Sequence, residues 1–96
     1  MLNLPTYPIV AAGRSHKMVV LPDGTLWGWG DNSGGKLGTG NTASYSSPVM
    51  VATDIAFVEA GLNHTMFIKT DGTLWAVGDS FGITQTEITQ SVNFVA

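Results

Sequence analysis

Short runs of apolar residues, separated by turn residues, cover most of this 96-residue chain. The apolar positions alternate with polar ones or form short blocks without a helical period, so the pattern predicts strands and no helix. Residues 16–21 and 26–30 flank the segment Pro22-Asp23-Gly24-Thr25, whose proline presets φ and whose glycine accepts a positive φ. This arrangement predicts a β-hairpin. Further short strands are predicted at 9–11, 48–51, 57–59, 66–69 and 74–78.

The same unit occurs twice. Residues 12–31 align with residues 60–79 at an offset of 48 without a gap, and eleven of these twenty positions are identical. A repeat of this length with about four short strands is typical of a β-propeller blade. We therefore predict an all-β fold of two propeller blades, each of about four short antiparallel strands. The residues that recur, and for which we predict structural roles, are Gly13 and Gly61, His16 and His64, Gly24 and Gly72, and Trp27 and Trp75.

The repeat also predicts the internal boundaries. Residues 1–8 form an N-terminal segment and residues 9–56 the first repeat. Residues 57–93 form a second repeat, shortened by eleven residues in the loop that follows its hairpin. Residues 94–96 resemble the start of the unit, so they begin a third unit or supply a strand that closes a blade.

The composition narrows the classes of partner. The net charge is −3 and no basic cluster is present, which argues against binding to nucleic acid through phosphate neutralisation. The absence of cysteine excludes disulfides and thiolate metal sites. The first ten residues do not have the pattern of a signal peptide, and no apolar run reaches the roughly 18 residues of a membrane helix. We expect neither nucleic acid nor membrane as a partner, and the compartment stays undetermined.

The segment 30–37, GDNSGGKL, approaches the phosphate-binding pattern G-x-x-x-x-G-K-[ST]. That loop needs Ser or Thr after the lysine and a helix after that, whereas Leu37 and a glycine-rich stretch follow here. The two histidines occupy equivalent positions, which favours a structural role such as a hydrogen bond to a backbone carbonyl. Asp23, Asp71, Asp31 and Asp79 are also repeat-related turn residues. We therefore predict no catalytic residue, metal or cofactor.

Binding residues are expected in the loops, because loops on a rigid scaffold carry function. The variable loops are 32–47 and 80–93. Trp29 has Val77 as its counterpart, so the repeat does not fix its role. The candidate ligand-contact residues are Trp29, Asn32, Lys36, Tyr45 and Phe81.

The run from Trp29 to Gly40 resembles W-G-x-N-x-x-G-Q-L-G-x-G, the repeat of the regulator of chromosome condensation family. Lys36 stands where that family prefers glutamine, and the second unit lacks the K-L-G-x-G part. The resemblance implies a β-propeller, commonly of seven blades, that binds proteins and is not an enzyme.

Two blades leave two apolar faces uncovered, and stable repeat arrays normally need three or more units. We therefore expect three or four copies to complete a propeller as a homo-oligomeric ring that serves as a structural or protein-binding platform. The low share of charged residues, 11%, agrees with surfaces that meet other copies. The alternatives are a guanine-nucleotide exchange factor, a carbohydrate-binding propeller, and an engineered or fragmentary repeat without a ligand.

Overall fold

Eight β-strands form two four-stranded antiparallel sheets in the computed structural model, which describes residues 8–79 and 81–88. Within each sheet the strands follow chain order, so each strand pairs with its sequence neighbour. Blade 1 consists of β1 (Ile9–Ala12), β2 (His16–Val20), β3 (Leu26–Gly30) and β4 (Tyr45–Ala52). Blade 2 consists of β5 (Ile55–Ala60), β6 (His64–Lys69), β7 (Leu74–Gly78) and β8 (Gly82–Glu87).

Each β-hairpin is closed by the same side-chain clamp. Thr25 donates to Asp23 Oδ1 from its N–H (3.0 Å) and from its hydroxyl (2.6 Å), and Trp27 Nε1–H donates to the Thr25 hydroxyl (2.8 Å). Gly24 and Gly72 have φ of +86° and +88°, a region that glycine enters without steric cost. The second hairpin repeats the three bonds at 3.0, 2.6 and 2.7 Å with Asp71, Thr73 and Trp75. The D-G-T-L-W sequence is thus a turn motif anchored to the first tryptophan of the return strand.

The all-β prediction is confirmed, and the predicted strands coincide with β1 to β7. The structure adds two features. A short 3₁₀ turn occupies Ser33–Gly35, and β8 lies in a segment that the sequence assigned to a variable loop. Residues 31–44 separate β3 from β4, but only residues 79–81 separate β7 from β8, so the shortening falls at this connection. The segment 94–96 lies outside the described residues.

The two blades pack face to face. Alternate residues of β2 and β3, namely Met18, Val20 and Leu26, are fully buried and pack in one cluster with Val58 and Phe67 of blade 2. We call this buried side of blade 1 its back face, and the side of blade 2 that covers it the front face. The hydrophobic core therefore lies between the blades, because a four-stranded blade buries apolar residues by packing against another blade.

Candidate functional site

The back face of blade 2 is the open counterpart of the buried back face of blade 1. At the offset of 48, Met66, Ile68 and Leu74 correspond to Met18, Val20 and Leu26. They line a groove of about 130 Å³ together with Phe57, which is 42% exposed, and Glu59. Such a volume is below the roughly 300–1,000 Å³ of small-molecule pockets, which favours a packing surface over a ligand cavity.

The front face of blade 1 is open in the same way. Val10 is 63% exposed, whereas its counterpart in blade 2, Val58, is only 2% exposed. Lys17 is also exposed, whereas its counterpart Thr65 is fully buried. In the described part of the chain, one back face and one front face therefore pack against each other between the blades. The other back face, on blade 2, and the other front face, on blade 1, remain uncovered; we call these the two unsatisfied faces.

A buried polar bridge crosses the contact between the blades. The Thr65 hydroxyl donates to the Lys36 carbonyl (2.6 Å) and lies 2.8 Å from His16 Nε2. A hydroxyl has a single proton, so His16 must donate from Nε2 to the Thr65 oxygen. Burial lowers the pKa of His16, and the positive charge of Lys36 adds to this, so the neutral imidazole is favoured.

The predicted structural role of His16 therefore involves a hydroxyl, where the sequence suggested a backbone carbonyl. His64, on the open back face of blade 2, makes no side-chain hydrogen bond with any of the described residues. Its ring instead makes an edge contact with Phe81, at 6.3 Å between centroids and an interplanar angle of 67°. Gly13 and Gly61 lie against the two imidazoles, where a Cβ atom would collide with the ring. This explains the Gly-x-x-His spacing in both repeats.

The segment 31–44 is held together by Asn32, whose side chain is fully buried. Asn32 Oδ1 accepts from the Leu37 N–H (2.8 Å), and Nδ2 donates to the Ala43 carbonyl (2.9 Å). Nδ2 also lies 3.0 Å from the Asn41 carbonyl and 3.0 Å from the Thr39 hydroxyl. One amide thus organises the loop and places Leu37 in the core.

The Lys36 side chain is turned inward as well. Its Nζ lies 2.7 Å from Asp31 Oδ2, and only 2% of the side chain is exposed. Hydrogen bonds from Lys36 and then Ser33 hold the pKa of Asp31 well below its usual range. A phosphate-binding lysine must reach a ligand, whereas the Lys36 amine is buried in this ion pair.

The loop 31–44 also clamps the two blades together. Gln85 Nε2, on β8, donates to the carbonyls of Gly38 (3.1 Å) and Val51 (3.2 Å). Gly38 lies in the loop, and Val51 lies in β4 of blade 1. A Cβ at Gly38 would lie 3.3 Å from a methyl carbon of Val77, so the loop backbone runs directly over blade 2. The loop 31–44, in which we predicted ligand contacts, thus forms part of the internal contact between the blades, while residues 40–44 remain exposed.

Two of the candidate ligand-contact residues are therefore inaccessible from outside in this structure. Asn32 is 0% and Lys36 1% exposed, because their polar groups satisfy the loop backbone and Asp31. The three aromatic candidates, Trp29, Tyr45 and Phe81, are half-buried. No ring contact joins these three within the described residues, so the structure does not assemble them into one binding platform.

The aspartates of the two hairpin turns also have structural partners. The carboxylates of Asp23 and Asp71 accept from Thr25 and Thr73, and these hydrogen bonds lower the pKa of both. Across residues 8–79 and 81–88, no cluster of three or more His, Asp or Glu could hold a metal ion. Over the same ranges, no helix has the length and apolarity to cross a membrane.

Two sequence profiles described as the regulator of chromosome condensation (RCC1) repeat match this chain. One covers residues 23–68, and the other covers residues 9–36 and again 55–82. The second match reproduces the internal repeat and spans more than half of the chain. The chain belongs to the RCC1 repeat family. The resemblance seen in the W-G-x-N-x-x-G segment is thereby confirmed.

Curated relatives of this RCC1 repeat chain are much longer proteins. The ultraviolet-B receptor UVR8 of Arabidopsis thaliana is 43% identical over 42 residues, which are 44% of this chain and 10% of the receptor. A bifunctional serine/threonine-protein kinase/NEDD4-like E3 ubiquitin-protein ligase of Dictyostelium discoideum is 39% identical over 51 residues, 53% of this chain and 3% of that protein. The chain thus spans a tenth or less of these relatives.

Solved structures show the same fold at low identity. Human WBSCR16 superposes with a TM-score of 0.75 at 20% identity, covering 93% of this chain and 27% of that one. Yeast RCC1 (Prp20), in a complex with Kap60, gives a TM-score of 0.75 at 16% identity, covering 98% and 26%. Prp20p of Saccharomyces cerevisiae gives 0.73 at 21% identity, covering 92% and 28%. The two blades are therefore β-propeller blades, equal to about a quarter of each of those chains.

Sequence reasoning missed Thr65 and Gln85, the two blade 2 residues whose side chains hold the loop of blade 1. Thr65 stands where the first repeat has Lys17, so it looked like an ordinary surface difference. Gln85 lies in β8, whose sequence GITQTE has almost no apolar alternation. The only available signal came from comparing the two repeats, which differ both at the position of Lys17 and Thr65 and in the length of the loop after the hairpin.

Proposed function

We propose that this chain is a non-enzymatic β-propeller component that assembles head to tail with other copies into a ring, and that the ring serves as a structural or protein-binding platform. The observation that carries the proposal is the pair of unsatisfied faces. Met66, Ile68 and Leu74 on the back face of blade 2 correspond to three fully buried residues of blade 1, and the front face of blade 1 corresponds to the surface that buries them.

The geometry of the internal contact favours a closed assembly. The rotation that takes blade 1 onto blade 2 can be applied again, so a second copy can continue the array with its own blade 1. Repeated heterologous contacts close into a ring where the rotation permits and otherwise extend as a filament. Three or four copies would supply six or eight blades, within the range of known propellers.

The platform role is supported by what similar proteins bind. Yeast RCC1 (Prp20) was crystallised with Kap60, and the Prp20p structure is described with binding to Gsp1p and histones. The non-enzymatic part rests on this family and on the use of the reactive side chains in this structure. The imidazole of His16, the Lys36 amine and the carboxylates of Asp23 and Asp71 all make hydrogen bonds within the fold.

The mass in solution tests the assembly. We expect light scattering after size exclusion to give about three or four times the 10.1 kDa of one chain. Ile68→Glu places a second negative charge in the open groove that Glu59 already lines and should dissociate the ring, because an unpaired charge is costly at an apolar contact. Thr53→Glu adds the same charge at an exposed position and should leave the mass unchanged. A monomer at every concentration would overturn the assembly and leave the groove to a further blade of a longer chain.

A further inference from the structure

The two open faces differ from the internal contact at matched positions. On the front face of blade 1, Lys17 stands where blade 2 has the buried Thr65. On the back face of blade 2, Glu59 stands where blade 1 has Ala11, which packs against the core. Both exceptions introduce a charge into a largely apolar surface, and the two charges are opposite in sign.

The positions of these two exceptions are close to each other across the internal contact. Ala11 pairs with Met18 on β2, and His16 is the next residue of β2 on the same face. His16 Nε2 in turn lies 2.8 Å from the Thr65 hydroxyl. Ala11 and His16 are diagonal neighbours on one face of blade 1, about 7–8 Å apart, and the His16 ring extends from there to Thr65. Lys and Glu side chains are long enough to span such a separation together. A lysine at the position of Thr65 and a glutamate at that of Ala11 would therefore reach each other.

Glu59 and Lys17 are both exposed, and no ion pair in the described residues involves either of them. Each charge therefore faces solvent in the single chain. If the faces met as the blades do inside the chain, each charge would gain a partner of opposite sign.

A difference in size accompanies the difference in charge. In the internal contact Val77 is fully buried beneath the loop of blade 1, next to Gly38. Blade 2 has only residues 79–81 at the equivalent connection, where blade 1 has residues 31–44, so this connection is too short to form an equivalent loop. At the position of Val77, blade 1 carries the much larger Trp29, which pairs with Lys17 and shares its face. Trp29 can fill the space that the short connection leaves.

We infer that the occupant of the back face of blade 2 is the front face of blade 1 of a second copy, held by an ion pair between Lys17 and Glu59 and by Trp29 against the short connection 79–81. The inference rests on the proposed assembly and specifies its contact. The loss of the Thr65 hydroxyl at position 17 is consistent with this contact, because the shortened second repeat has no residue that aligns with Lys36. Opposite charges at such a contact set partner choice and register.

Charge reversal tests the pair. Glu59→Lys and Lys17→Glu should each raise the concentration at which the assembly dissociates by at least tenfold, since like charges then face each other. The double variant restores opposite signs and should return most of that loss. Glu87→Lys and Arg14→Glu change the net charge by the same amounts at other exposed positions and should have little effect. Sedimentation velocity over a dilution series measures all five proteins against the wild type.

Mixing the two single variants gives a sharper result. Each alone repels itself, but a Glu59→Lys copy and a Lys17→Glu copy present opposite charges at both of their shared contacts. Alternating rings should form, and they require an even number of copies. Recovery of a tetramer on mixing would support the pair and indicate four copies. If the wild type forms a ring of three, the mixture should instead give open chains, because three copies cannot alternate. In that case the double variant tests the ion pair.

The outcomes separate the two proposals. A wild-type monomer would remove both the assembly and this contact. A wild-type oligomer that is unaffected by either charge reversal would overturn the ion pair and leave the assembly standing. Trp29→Val should also weaken assembly, and the tryptophan emission of the wild type should shift to the blue as copies associate. An unchanged dissociation concentration in Trp29→Val would refute the role of this side chain.

Discussion

Replacing Thr65 with valine removes a hydroxyl that joins the blades but keeps the shape of the side chain. The hydroxyl donates to the Lys36 carbonyl at 2.6 Å and accepts from His16 Nε2 at 2.8 Å, and Thr65 and His16 are fully buried. In the variant, a buried donor and a buried carbonyl would lose their partner. Each unsatisfied buried group costs about 1–3 kcal/mol, so we expect a loss of about 2–6 kcal/mol. Because small domains have about 5–15 kcal/mol in total, the effect is large.

Urea unfolding at a fixed protein concentration measures this loss, because association makes the apparent stability depend on concentration. With a slope of about 1–3 kcal/mol per molar urea, we expect the midpoint of Thr65→Val to fall by about 1 M or more. Thr65→Ser keeps the hydroxyl and is the matched control, which should lose less than the valine variant. Equal midpoints for valine and wild type would refute the bridge as a source of stability.

Three further predictions concern protonation, the loop and the packing of the blades. Because the pKa of His16 is lowered in the folded chain, the unfolded chain binds the proton more readily, and the free energy of unfolding should decrease as the pH falls below about 6.5. Titration of the His16 ring by NMR should give a midpoint below that value. His16→Gln should remove this part of the pH dependence. Asn32→Ala should remove the side-chain amide that organises the loop. Hydrogen exchange measured by mass spectrometry should then show faster exchange in residues 31–44 than in the strands. Uniform protection would contradict the organising role of Asn32. A Cβ at Gly35, where φ is +79°, would lie 2.6 Å from Ile83 Cα in blade 2, so Gly35→Ala should cost about 1–3 kcal/mol in thermal or urea unfolding. A neutral result would mean that the contact between the loop and blade 2 yields more than the geometry suggests.

The sequence alone determined the repeat and the secondary structure of its conserved part. The D-G-T-L-W segment specifies a hairpin because the aspartate, threonine and tryptophan bond to one another within five residues. Local bonds of this kind follow from residue order. The blade architecture also followed, because a repeat near 48 residues with short alternating strands has few other solutions. β8 was missed because its sequence, GITQTE, is mostly polar and exposed, and its pairing with β7 supplies the order.

Only the tertiary structure decided what the loop 31–44 does. Its glycines and polar residues are typical of an exposed binding loop, and nothing in residue order shows that Asn32 and Lys36 turn inward. The position of the loop between the blades depends on contacts between residues far apart in the chain, such as the Thr65 hydroxyl with the Lys36 carbonyl, separated by 29 positions, and Gln85 with Gly38, separated by 47. A repeat alignment shows which residues differ between blades. The structural effect of these differences is determined only when two blades pack together, because the burial of a side chain depends on the contact between the faces.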